Sequence, residues 1–229
     1  MKQLLLICAV VMGQSVLAAD KKPLTKEEQA KVVEAAIRIK LKKPTGELSK
    51  ADLEKVDWLY LDNTKITDAG LKEMAKLQQL QKLSLGATKI TDVGLKDLAK
   101  LQKLTHLSLY KTQITDAGLK EVAKLQQLEQ LFLSRTKITD EGLKEVAKLQ
   151  KLEGLGLVEP KITDAGLKEV AKLQNLNKLF LSDTQITDAG LKEVAKLQKL
   201  EVLFLLNTQV TKAGVAELKK ALPNCNIIV

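Results

Sequence analysis

The sequence predicts an α/β solenoid: seven coils of 24 residues, each contributing one strand and one helix, with a cap at either end. Three observations carry this. Ile66, Ile90, Ile114, Ile138, Ile162, Ile186 and Val210 recur every 24 residues, and self-similarity at such a period marks a stacked-repeat architecture. Within each period the apolar pattern switches. An L-x-L alternation suits a short strand with one buried face, and the helical spacing of residues such as Leu71, Met74, Ala75 and Leu77 suits a helix. Finally, 45% of the residues are hydrophobic but only 3% are aromatic, so aliphatic side chains have to fill the interior.

The elements follow in chain order. Lys2, the apolar run at residues 4–12 and the small residues of Val16-Leu17-Ala18-Ala19 read as a secretory signal over residues 1–19, cleaved after Ala18 or Ala19. The run is too short to span a bilayer as a helix, and the competing reading is a buried core helix. A lipoprotein signal wants a small residue before its cysteine, and Ile7 precedes Cys8, which disfavours a lipid anchor. Residues 20–55 form a helical cap. An amphipathic helix over residues 24–43 opens on a capping box from Thr25 to Glu28, Pro44-Thr45-Gly46 turns the chain, and Ser49 starts a second short helix through residue 55. Residues 56–222 hold the repeats. Residues 223–229 are a truncated eighth strand that caps the far end.

Each repeat is a version of L-x-x-L-x-L-x-x-T followed by I-T-D-A-G-L-K-E-V-A-K-L-Q. In the second, the first half is Leu80, Leu83, Leu85 and Thr88. Thr67 or Asp68 is placed to cap the first repeat's helix, and Asp68 sets negative charge at the helix N-terminus, where the dipole favours it. Gly70, Gly94, Gly118, Gly142, Gly166, Gly190 and Gly214 form a column that lets neighbouring coils pack closely. Pro160 interrupts the threonine column of Thr64, Thr88, Thr112, Thr136, Thr184 and Thr208, and predicts a local irregularity because proline has neither a hydroxyl nor a backbone donor.

This pattern resembles the leucine-rich repeat, with Thr where Asn or Cys is usual. Its second half is similar to the ribonuclease-inhibitor-like and cysteine-containing subclasses, and very similar arrays occur in secreted proteins of environmental bacteria. The resemblance covers residues 56–229. It implies a right-handed curved solenoid with a parallel sheet on the concave face and helices on the convex face. It implies protein binding without naming a partner, and threonines that hydrogen-bond backbone groups of their loop and of neighbouring coils.

On such a sheet the residues between the buried leucines point outward. Trp58, Tyr60, Tyr110, Phe132, Phe180 and Phe204 all occupy those positions or the one just after, and His106 lies on the same sheet. Aromatics gathered on one face suggest a binding surface, although strand propensity alone also favours them there. One outward column reads Tyr60, Ser84, Ser108, Phe132, Gly156, Phe180, Phe204 and Ile228. With strands about 4.8 Å apart, Phe132 and Phe180 would stand roughly 10 Å apart over Gly156. That would make a slot floored by glycine, unless Gly154 and Gly156 are simply drift beside Pro160. The expected partner-binding set is Trp58, Tyr60, His106, Tyr110, Phe132, Arg135, Gly156, Phe180 and Phe204.

Other function classes are disfavoured. The net charge is +9, but the middle helices balance Asp, Lys and Glu. The strand face and following turn carry Lys82, Lys111, Arg135 and Lys178 against Asp57, Asp62, Glu129, Glu153, Glu159, Asp183 and Glu201, whereas a nucleic-acid face should be uniformly basic. Lys65, Lys89, Lys137 and Lys161 form only a sparse edge stripe. One histidine, no nucleophile or phosphate-loop motif and no clustered metal ligands point away from an enzyme, a cofactor or a metal. Without its signal the chain keeps only Cys225, so no intramolecular disulfide forms. A buried terminal thiol is the simpler reading of that residue than pairing between chains. The expectation is a scaffold exported to the periplasm or medium that binds a protein through its concave face. A carbohydrate- or envelope-polymer-binding module, or a structural envelope role, is the alternative, and no transmembrane segment is expected in the mature chain.

Overall fold

The computed structural model describes residues 24–229; the signal segment and Cys8 lie outside the described residues. Eight strands, β1 (Trp58–Tyr60), β2 (Lys82–Ser84), β3 (His106–Ser108), β4 (Gln130–Phe132), β5 (Gly154–Gly156), β6 (Lys178–Phe180), β7 (Val202–Phe204) and β8 (Asn226–Ile228), form one parallel sheet in sequence order. Each residue pairs with the one 24 positions on, as Leu59 with Leu83 and Leu83 with Leu107. The middle residue of every strand is buried beneath the sheet, and its two neighbours belong to the outer face.

Two helices precede the sheet: α1 (Lys26–Leu41) and α2 (Lys50–Leu53). Both start on the capping boxes that their sequences require, Thr25 with Glu28 and Ser49 with Asp52. One helix then follows each of the first seven strands: α3 (Asp68–Met74), α4 (Asp92–Leu98), α5 (Asp116–Val122), α6 (Asp140–Val146), α7 (Asp164–Val170), α8 (Asp188–Val194) and α9 (Lys212–Ala221). The repeat helices end sooner than their apolar spacing implies. Leu77 is fully buried but lies beyond α3, where its N–H donates to the Met74 carbonyl at 2.8 Å. A glutamine in the K-L-Q segment closes the ends of α3 to α8, as Gln126 Nε2 donates to the Ala123 carbonyl at 2.6 Å.

At the first repeat helix Thr67 holds the N-cap position but its side chain makes no cap bond, whereas in the later coils the threonine and the aspartate are both used, for different bonds. The threonine is the N-cap: Thr115 Oγ1 accepts from Ala117 N at 3.3 Å. The aspartate reaches the next coil instead. Asp92 Oδ1 accepts from Thr115 N at 2.8 Å and its Oδ2 from Thr115 Oγ1 at 2.7 Å. Asp68, Asp116, Asp140, Asp164 and Asp188 repeat the arrangement. The glycine column makes room for it, since a Cβ on Gly142 would collide with Asp116 Oδ1 and lie 2.7 Å from Leu119 Cδ1.

The ladder of aspartates is terminated at both ends. Thr67 has no preceding coil, and Gln29 of α1 takes the aspartate's place. Its Oε1 accepts from Thr67 N at 2.9 Å, and the side chain is 3% exposed. At the other end Lys212 stands where the aspartate would be, after Thr211, and no further helix follows α9.

Two further columns hold the loops. The threonine hydroxyls donate to a leucine carbonyl of their own coil, as Thr88 Oγ1 does to Leu85 O at 2.6 Å. Neighbouring coils are joined here by backbone, from Asn63, Ala87, Lys111, Arg135, Glu159 and Asp183, which with Asn207 all have φ between 52° and 69°. That left-handed turn aims an N–H at the next coil: Lys111 N reaches Ser134 O at 2.9 Å. At Pro160 the irregularity is small. Glu159 N reaches Ser182 O at 3.3 Å, where the equivalent Arg135 bond is 2.8 Å.

Candidate functional site

The outer sheet face collects the aromatic side chains in three separate groups. At the N-terminal end Trp58 and Tyr60 stack at 5.0 Å and 26°, and Lys40 of α1 lays its Nζ 4.5 Å from the Trp58 ring centre. Lys40 also pairs with Asp57, which holds that carboxyl below the usual carboxylate range. Trp58 is thus half-covered by the cap, and Tyr60 is 57% exposed.

On the rim after the strands, Arg135 bridges two coils. It donates to Tyr110 Oη at 3.0 Å and to Glu159 at 2.6 Å, and its guanidinium carbon is 5.8 Å from the Tyr110 ring centre. His106 joins neither group. Its Nδ1 lies 2.8 Å from Thr105 Oγ1, and burial, then Lys82, lower its pKa below the ordinary histidine value.

Toward the C-terminal end Phe132, Phe180 and Phe204 form a ladder. Phe180 and Phe204 stack at 5.0 Å and 16°, and Phe132 meets Phe180 at 6.3 Å and 53°. The slot expected between Phe132 and Phe180 is therefore closed. Phe132 folds over Gly156, where a Cβ would lie 2.7 Å from its Cδ1, and Gln130 covers Gly154 in the same way. Both glycines are buried. The side chains beside a bare strand fall onto it because open backbone would leave apolar ring surface in water. Gly156 serves as the seat of Phe132 and not as the floor of a groove.

Sequence reasoning missed Lys40, which acts from a cap helix and shares no column with Trp58. It also missed Leu206, 43% exposed beyond β7, and Asn177, whose Oδ1 is buried with no hydrogen-bond partner among the described residues. The convex helices carry mostly i,i+3 ion pairs such as Lys124–Glu121 at 2.7 Å, which look like a solvated face. Burial raises the pKa of Cys225, which favours the protonated thiol. Among the described residues no helix is long and apolar enough to cross a membrane, and no group of three or more His, Cys, Asp or Glu could hold a metal ion.

A family profile described as Leucine Rich repeat matches residues 76–99, 100–123, 124–147 and 172–195. No curated protein matches the sequence significantly. Among solved structures, internalin C2 of Listeria monocytogenes is similar at 26% identity and a TM-score of 0.63, over 86% of this chain and 91% of that one. A leucine-rich-repeat protein of Leptospira interrogans is similar at 26% identity and a TM-score of 0.60, over 78% of this chain and 50% of that one. The parallel ladder with its 24-residue register, the profile matches and these two bacterial neighbours agree: the chain is a leucine-rich-repeat protein of the bacterial kind.

Proposed function

We propose that this protein is an exported scaffold that binds a protein partner through the outer, concave face of its sheet. The observation that carries this is the placement of the aromatics. The buried core takes none, and the Phe132–Phe180–Phe204 ladder lies on the outer face as a partly exposed apolar strip. Aromatic surface held rigid by a scaffold is what dominates binding energy at protein interfaces. Export rests on the signal-like residues 1–19 and predicts a mature N-terminus just after Ala18 or Ala19, which N-terminal sequencing of the protein from its source would check.

The test is a pull-down from the native exported fraction with the wild type and a variant carrying alanine at Trp58, Phe132, Phe180 and Phe204, after circular dichroism has shown that both fold. The partner should be retained by the wild type and lost by the variant; recovery of the same proteins by both sinks the concave-face reading. A glycan-binding role has the Trp58–Tyr60 stack in its favour, and titration with glycans would then change Trp58 fluorescence.

A further inference from the structure

We propose that the partner segment is basic and apolar at once. It would set a lysine or arginine head between Glu153, Asn177 and Glu201, while an apolar side chain about 10 Å away rests on Phe180 and Phe204. This rests on the concave-face reading above and names the chemistry that the face selects.

A depression of about 390 Å³ opens at the edge where the chain enters the strands, lined in part by Glu153, Asn177 and Glu201. Three of its side-chain hydrogen-bond donors are engaged within the protein. Lys199 Nζ donates to Asn175 Oδ1 at 2.7 Å, Asn175 Nδ2 to Gln150 O at 2.9 Å, and Gln198 Nε2 to Ala195 O at 2.7 Å. Three of its side-chain acceptors are not. The Glu153 and Glu201 carboxylates make no hydrogen bond or ion pair among the described residues, and Asn177 Oδ1 is buried without a donor. Two free carboxylates call for a group that only donates, which describes an ammonium or a guanidinium. Glu129 extends the same edge, and against these three carboxylates stand Lys178 on the outer face of β6 and Lys199 at the depression, its Nζ held by Asn175.

The apolar half of the match follows from the sheet. Glu153, Asn177 and Glu201 each immediately precede a strand, β5, β6 and β7, and Phe180 and Phe204 end β6 and β7. Three residue steps along the strand separate the acidic edge from the rings, about 10 Å. Positions i and i+7 of an α-helix, or i and i+3 of a polyproline helix, span about that distance on one side of a partner. The exposed Leu206 continues the apolar strip past Phe204.

The test is selection of a displayed library of random linear peptides on the immobilised full chain. The wild type should select peptides that combine Lys or Arg with an aromatic or aliphatic residue. By fluorescence anisotropy, E153Q/E201Q should weaken the best peptide about tenfold, and F180A/F204A should weaken it at least as much. Selected peptides that lose binding in F180A/F204A but are indifferent to E153Q/E201Q, or that are acidic, overturn this inference and leave the concave-face reading standing. Selected peptides indifferent to both double variants, or no selection at all, overturn both. Self-association of the wild type that F180A/F204A abolishes would make a second copy the occupant, and that also overturns the basic segment. The four side chains are at least partly exposed, and unchanged circular dichroism and thermal midpoints would show that each variant folds.

Discussion

At the scale of single residues, the repeated aspartate does more than start a helix. Asp116 accepts two hydrogen bonds from Thr139 of the next coil, and Gly142 is small so that it can. Asp116→Ala should therefore cost about 1–3 kcal/mol, because it leaves two donors of Thr139 without their acceptor, and a urea titration would measure it. The same chemistry makes the protein acid-sensitive. Hydrogen bonds from the Thr211 side chain and backbone hold the Asp188 carboxyl below the ordinary carboxylate range. Lys43 and Ser49 do the same for Asp52. These groups bind protons less readily folded than unfolded, so their contribution is whole above about pH 4 and is lost as pH falls through the lowered folded values. The urea midpoint should fall below about pH 4, and Asp188→Asn should blunt that fall; a midpoint flat down to pH 2 in the wild type would contradict it.

At the scale of elements, no repeat helix stands alone: each seven-residue helix is tied forward through its aspartate and closed behind by a glutamine. Helices this short are not stable in isolation, so coil-to-coil bonds and burial hold them. The cap helix α1 enters this system through a single substitution of chemistry, a carboxamide at Gln29 for the missing aspartate. Gln29→Ala should cost about 2 kcal/mol by leaving the buried-side donor Thr67 N unpaired. Hydrogen exchange should then quicken in α1 and the first coil while the middle coils stay protected; uniform acceleration along the chain would show that the cap is not held this way.

At the scale of the whole molecule, identical register along eight strands makes the middle coils interchangeable. Deleting residues 116–139 removes one complete 24-residue period and joins Thr115 to Asp140, restoring the T-D sequence. The shortened chain should fold cooperatively with unchanged ellipticity per residue and a lower urea midpoint, because one set of nearest-neighbour interfaces is gone. Loss of cooperative unfolding would mean that some coil makes contacts its neighbours cannot reproduce. Such a deletion also removes Phe132, so it separates the fold, which should survive, from the binding strip, which should be shortened.

The sequence by itself determined the period, the strand register, the aliphatic core columns and the face on which all the aromatics stand. These follow from spacing, and spacing is written into the chain seven times. It also foretold the glycine column and the small defect at Pro160. What only the tertiary structure decided is where side chains go once two coils, or a coil and a cap, lie side by side. The aspartates reach forward to the next threonine, Gln29 and Lys40 act from α1, and Phe132 lies down over Gly156 and closes the slot. The physical reason is that a periodic pattern states which face a residue occupies but not its rotamer. Rotamers are set by contacts at about 3–4 Å between segments that the sequence holds 18 or more residues apart.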